Sequence, residues 1–221
     1  MRATDFVIEA EFDPGIRDEL QRQGYRFLGS GVDQQAYLAP DGTVMKIFGT
    51  SLRRQGSTKL TRAQKAFKLF ADYCRANSGN PFLPEFSDWN MFHYDDRPYL
   101  QIKTERLFEF SGNMKHWARV LSSMARNAQH SKAKRDKEWW LRAEVFPRVP
   151  WGSSAPQELV VHLGARGFNQ LWDTIYQLAQ LARKNGMVMD LHAGNFMLGS
   201  DGHIVISDPF FTGFGSEGSD W

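Results

Sequence analysis

The chain has 221 residues, 42% hydrophobic and 14% aromatic, with a formal net charge of +2. This is enough apolar material for one large domain or two small packed lobes, and it excludes a largely disordered chain. The charge is too small to point to nucleic acid, no apolar run approaches the roughly 18 residues of a membrane span, and the single cysteine, Cys74, can form neither an internal disulfide nor a zinc site. The expected setting is the reducing cytoplasm, with no membrane partner and nucleic acid disfavoured.

An alternating segment from Phe6 to Phe12 leads to Asp13, which can cap a short helix; Pro14 suits the first turn and Gly24 closes it. Three antiparallel strands are predicted next. "YRFLGSG" runs into "QQAYLAPDGTVMKIF", and Asp41-Gly42 between two β-rich runs signals a hairpin. From Leu60 to Arg75 the apolar residues fall on one helix face, until "NSGNPFLP" stops the pattern. Two further strands, Phe86 to Tyr94 and Pro98 to Phe108, joined by Asp95-Asp96-Arg97, complete a small antiparallel sheet with one helix.

The second half reads helical. Met114, Trp117, Ala118, Leu121, Met124 and Ala125 share one face, as do Phe168, Leu171, Trp172, Ile175, Leu178 and Ala182. Residues 126–157 between them read as a helix followed by an irregular surface loop. From Arg126 to Arg142 there are six Lys or Arg against two acidic residues, which a solvated helix face explains more simply than a nucleic-acid site. Trp139-Trp140 beside it is either a partner site or buried against the second lobe. A last hairpin runs from Phe196 to Leu198, turns at Ser200-Asp201-Gly202 and returns from His203 to Ser207; the Gly/Ser-rich tail after it is expected to be loose. The fold class is therefore α+β, divided into an N-terminal extension 1–24, a sheet lobe 25–107, a mostly helical lobe 108–211 and a tail 212–221.

The stretch "MVMDLHAGNFMLGSDGHIVISDPFF", Met187 to Phe211, carries Asp190, Asn195 five residues on, and Asp208 just past an apolar strand. Carboxylates among Val, Ile and Phe are costly to bury unless a cation is bound, so this is a candidate metal or phosphate site. Upstream stand a Gly29-Ser30-Gly31 turn and Lys46 on a strand. Each feature alone has a plain structural reading, as a turn, an edge lysine or a hairpin; their order and spacing together are much rarer.

Together they resemble a protein-kinase-like phosphotransferase. "LGSGVDQQAY" occupies the place of the glycine loop, "TVMKIF" that of the strand with the phosphate-binding lysine, "DLHAGN" that of the catalytic loop and "ISDPF" that of the metal-binding motif. "DLHAGN" is similar to the form found in aminoglycoside and other small-molecule kinases. The wider "DLHAGNFMLGSDGHIVISDP", with "LGSG…AY" and "NPFLP", resembles the early serine/threonine protein kinase domain of enterobacterial podophages. The likeness spans residues 25 to 211 and is most specific in the last twenty-five.

This resemblance implies a two-lobed minimal kinase-like fold with a truncated helical second lobe, ATP and Mg²⁺ as cofactors, and a host protein as substrate in the host cytoplasm. It implies nucleotide binding by Gly29, Ser30, Gly31, Ala36 and Lys46, with Glu105 and Leu107 in a hinge that pairs with adenine. Asp190 and Lys46 are then catalytic, Asp190 as base or orienting group, and Asn195 and Asp208 hold the metal. His192 either contacts phosphate or substrate, or is a local hydrogen-bonding residue. The pattern is broken in three places: Gln34 stands where a third glycine belongs, the helix from Leu60 to Arg75 offers only Gln64 and Asp72 in place of a glutamate partner for Lys46, and Val188-Met189 replace the usual His-Arg. A pseudokinase acting by binding a host protein, and a small-molecule kinase, are the alternatives these departures leave open.

Overall fold

The computed structural model describes residues 12–30, 34–49, 62–130 and 155–211, and the chain has an α+β architecture. It divides into two units, Met1–Ser78 with Glu85–Arg106, and Gly79–Pro84 with Leu107–Trp221. The segments Phe6 to Glu11, 131–154, which includes Trp139-Trp140, and 212–221 lie outside the described residues.

In the first unit, helix α1 (Pro14–Arg22) begins where Asp13 accepts the Gly15 N–H at 2.8 Å, leaving Pro14 at the one position where a missing N–H costs nothing. Strands β1 (Arg26–Ser30), β2 (Gln34–Leu38), β3 (Val44–Phe48), β4 (Phe86–Tyr94) and β5 (Arg97–Thr104) form an antiparallel sheet in the order β1-β2-β3-β5-β4. The β2–β3 turn is held by Asp41, which accepts the Thr43 N–H at 2.9 Å. The β4–β5 turn needs two consecutive residues in the left-handed region, and Asp95 and Asp96 supply φ of 47° and 59°. Arg97 therefore opens β5 instead of belonging to the turn.

Because side chains alternate along a strand, the sheet has two buried faces. Tyr37, Met45, Ile47 and Tyr99 pack with Ile16 of α1 on one. Phe48, Leu100 and Ile102 pack with Phe67 and Ala71 of helix α2 (Arg62–Ala76) on the other. The rings of Phe67, Phe70 and Phe86 meet edge to face at centroid distances of 5.6–6.5 Å, and Phe67 lies 4.3 Å from Phe48. Strand β5 ends at Thr104, not at Phe108, because the Glu105 N–H turns to the Glu85 carbonyl and Phe108 bridges Leu198 in the second unit.

The second unit is built on helices α3 (Lys115–His130) and α4 (Ala155–Lys184), which bury Trp117, Leu121, Leu171, Trp172, Ile175 and Leu178. Helix α4 is interrupted at Gly164, whose φ of 64° and ψ of 169° are open to glycine almost alone. Residues 155–157, expected to be loop, form its first turn, where Pro156 loses no hydrogen bond and Glu158 faces the positive helix end. Gly79–Pro84 joins this unit through the Asn80 side chain, which donates to Thr174 Oγ1 at 2.8 Å, and through buried Phe82 and Leu83. Among the described residues no helix is long and apolar enough to cross a membrane.

Candidate active site

After α4 the chain makes two very short antiparallel pairs. Strand β7 (Phe196–Leu198) pairs with β8 (Ile204–Ile206), the hairpin expected from the sequence. Strand β6 (Val188–Met189) pairs with β9 (Phe210–Phe211), and this second pair was not expected. It continues for one more bond, since the Asp190 N–H donates to the Pro209 carbonyl at 2.8 Å. Asp190 and Asp208 are thereby fixed on adjacent backbones.

Asn195 is drawn to the same point. It ends a single 3₁₀ turn (Ala193–Asn195), its N–H donates to the His192 carbonyl at 3.0 Å, and its own carbonyl accepts the Ser207 N–H at 2.9 Å. Its side-chain Nδ2 donates to the Asp190 carbonyl. That bond fixes the orientation of the amide and leaves Oδ1 as its acceptor oxygen. One backbone network thus gathers Asp190, Asn195 and the Ser207-Asp208 pair.

The network is anchored in the core. Ser122 of α3 donates its buried hydroxyl to the Leu191 carbonyl at 3.1 Å, and the Ile206 N–H donates to the Phe82 carbonyl at 3.0 Å. Phe196, Ile204, Val205 and Ile206 are buried, so the apolar ribbon around the acidic residues is their mounting. Among the described residues no group of three or more His, Cys, Asp or Glu could hold a metal by itself. An amide oxygen and a carboxylate still fit Mg²⁺, which is commonly held by one or two carboxylates together with phosphate and water oxygens.

In the first unit, Gly29, Ala36, Lys46 and Ile102 are cross-strand partners in one row, so they share a sheet face. Among the described residues, a Cβ at Gly29 would meet nothing within 4 Å. Ser30 follows at the exposed end of β1, and Gly31 lies outside the described residues. The Lys46 ammonium stands 5.2 Å from the centroid of the Phe67 ring, a cation–π contact with α2. Asp72 is engaged elsewhere: it pairs with Lys68 at 2.6 Å and accepts Trp89 Nε1 at 3.2 Å. Gln64 is buried and donates to the carbonyls of Phe48 and Gly49 at 3.3 and 3.4 Å. Phe67 is the residue of interest missed from the sequence, where its place in the helix pattern marked it only as core.

Glu105 is tied to its neighbours as well. Its carboxylate accepts the Glu85 N–H at 3.0 Å and its own N–H donates to the Glu85 carbonyl at 3.1 Å. Leu107 begins the second unit, and next to it Phe108 and Leu198 exchange two backbone bonds of 2.8 Å.

No protein-family model matches the chain, and no characterised protein matches it in sequence. Among solved structures, the microcompartment-associated aminopropanol kinase is similar with a TM-score of 0.40 at 13% identity, over 89% of this chain and 69% of that one. The streptomycin–ATP–APH(2")-IIa ternary complex is similar with a TM-score of 0.33 at 15% identity, over 90% of this chain and 70% of the other. Likeness at these values assigns no activity, so the chemistry rests on the residues themselves.

Proposed function

We propose that this protein is an ATP- and Mg²⁺-dependent phosphotransferase, acting as a phage-type serine/threonine protein kinase on host proteins. The observation that carries the reading is the network joining Asp190, Asn195 and Ser207-Asp208, since it collects one candidate base and two hard-oxygen ligands that are eighteen residues apart in sequence at their extremes. In this reading the backbone at Gly29 and the Lys46 ammonium approach the phosphates, cancelling negative charge as the phosphoryl group moves. Asn195 Oδ1 and the Asp208 carboxylate hold Mg²⁺, which when bound neutralises charge on the phosphate oxygens. Asp190 accepts the proton of the acceptor hydroxyl.

Thermal stability with and without Mg²⁺·ATP tests it. A ligand at about 100 times its dissociation constant adds roughly 2.7 kcal/mol, a clear rise in Tm. No rise at millimolar nucleotide would refute nucleotide binding. A second reading, a pseudokinase that works by binding a host protein, is favoured by the sequence of residues 60–75, which contains no glutamate. Host phenotypes that persist in a Lys46→Met variant would support that alternative. A small-molecule acceptor is the variant of the first reading that the "DLHAGN" pattern favours, and acceptor screening with labelled ATP separates it from a protein acceptor.

A further inference from the structure

His192 has a fixed role in the geometry around Asp190. Its Nδ1 accepts the Gly194 N–H at 3.0 Å, so in the neutral ring the proton sits on Nε2. Nε2 in turn lies 4.0 Å from Asp190 Oδ2. Glycine at 194 suits this arrangement, because a Cβ there would stand 3.0 Å from His192 Cε1 and 3.2 Å from Nδ1 and would press the ring aside by a few tenths of an ångström. The two side chains are 61% and 46% exposed, so both functional atoms belong to groups that a ligand can reach.

A gap of 4.0 Å is too long for a direct hydrogen bond, yet one oxygen at about 2.8 Å from each atom spans it. Such an oxygen must donate a proton to the carboxylate and accept one from Nε2–H. A hydroxyl or a water does both; an ammonium group has no lone pair to offer. We infer that His192 Nε2–H and Asp190 Oδ2 form a two-point cradle for the acceptor hydroxyl, which makes His192 a second residue that selects and aims the acceptor. The inference rests on the phosphotransferase reading. In the step it serves, the acceptor oxygen bonds to the γ-phosphorus as the bond from that phosphorus to the bridging oxygen of ADP breaks. The hydroxyl proton passes to Asp190 Oδ2 and then to solvent, while the Nε2 proton stays on His192.

Water is the smallest acceptor that fits, so slow ATP hydrolysis reads the cradle without knowledge of the natural substrate. His192→Ala is expected to lower the hydrolysis rate about tenfold, the loss of one hydrogen bond, while the Tm rise with Mg²⁺·ATP is unchanged. His192→Gln, which restores an N–H donor, should recover much of the rate, and Gly194→Ala should behave like His192→Ala by displacing the ring. Nitrogen-15 NMR of the neutral wild-type imidazole should show the Nε2–H form. An Nδ1–H form, or equal hydrolysis by wild type and His192→Ala, would overturn the cradle alone. A wild type that binds Mg²⁺·ATP but hydrolyses none would overturn the cradle, whereas no Tm rise with Mg²⁺·ATP would sink the transferase reading beneath it.

Discussion

The Asp190 N–H donates to the Pro209 carbonyl across 2.8 Å, which ties the residue proposed as base to the backbone carrying Asp208. That bond is main chain to main chain and does not depend on the Asp208 side chain, which can be changed without removing it. Asp208→Ala is expected to retain the far-UV spectrum of the wild type and to lose at least about a hundredfold in transfer from γ-labelled ATP, the scale set by removing one strong electrostatic contact. Wild-type incorporation in that variant would defeat the assignment.

Asn195→Asp keeps an oxygen ligand but removes the amide donor, and sets an acceptor against the Asp190 carbonyl. It should lose about 1–3 kcal/mol in urea denaturation, as for a buried partner left unsatisfied. Stability equal to the wild type would mean that the amide bond to Asp190 contributes nothing.

Ser122 of α3 is buried and donates to the Leu191 carbonyl of the loop after β6. Ser122→Ala leaves that carbonyl unpaired, with an expected cost of about 1–3 kcal/mol. Because Leu191 adjoins Asp190, turnover should fall while Mg²⁺·ATP binding, read as a Tm shift, is preserved. A loss of nucleotide binding with unchanged turnover would contradict this.

Phe67 sits against the rings of Phe48, Phe70 and Phe86 and beneath the Lys46 ammonium. Phe67→Ala should cost about 3–5 kcal/mol, the range for a large aromatic removed from a core. Phe67→Leu keeps most of the volume and should cost less than half as much, which equilibrium unfolding of the two variants will show.

Burial pushes the Cys74 thiol well above its ordinary value near 9.0. The native state therefore holds its thiol proton where the unfolded chain releases it, so stability is fully present below about pH 9 and falls as pH rises past it, by up to about 1.4 kcal/mol per pH unit for one proton. Burial of Tyr37 and Tyr73 raises their phenols too, adding to the decline at higher pH. Cys74→Ala should flatten the first part of this slope in denaturation curves between pH 8 and 10, and native Cys74 should resist alkylation at pH 8.

Local chemistry made much of the fold legible. The Asp13 cap and the Asp41-Gly42 turn have their causes within a few residues, and both formed as read. The β6–β9 pair did not announce itself, because strands of two residues are too short for any period to show and their partner lies some twenty residues away. Strand β5 was read four residues too long because Glu105 to Phe108 look like a strand, yet their backbone bonds go to Glu85 and Leu198. The motif singled out Asp190, Asn195 and Asp208 as residues worth comparing, but not the bonds that collect them. The place of Phe67 beside Lys46 depends on helix α2 meeting strand β3, which no local pattern encodes.

The early segment Gly79–Pro84 has consequences for how the protein can be made or dissected. Asn80 leaves the ribosome 94 residues ahead of Thr174, its hydrogen-bonding partner, and Phe82 waits longer still for Ile206. The sheet unit can close once Arg106 has emerged, whereas the helical unit needs both that early loop and the last hairpin. A fragment starting at Leu107 therefore lacks a piece of its own core, and cutting the chain there is expected to yield an insoluble C-terminal half unless residues 79–84 are supplied on a second peptide.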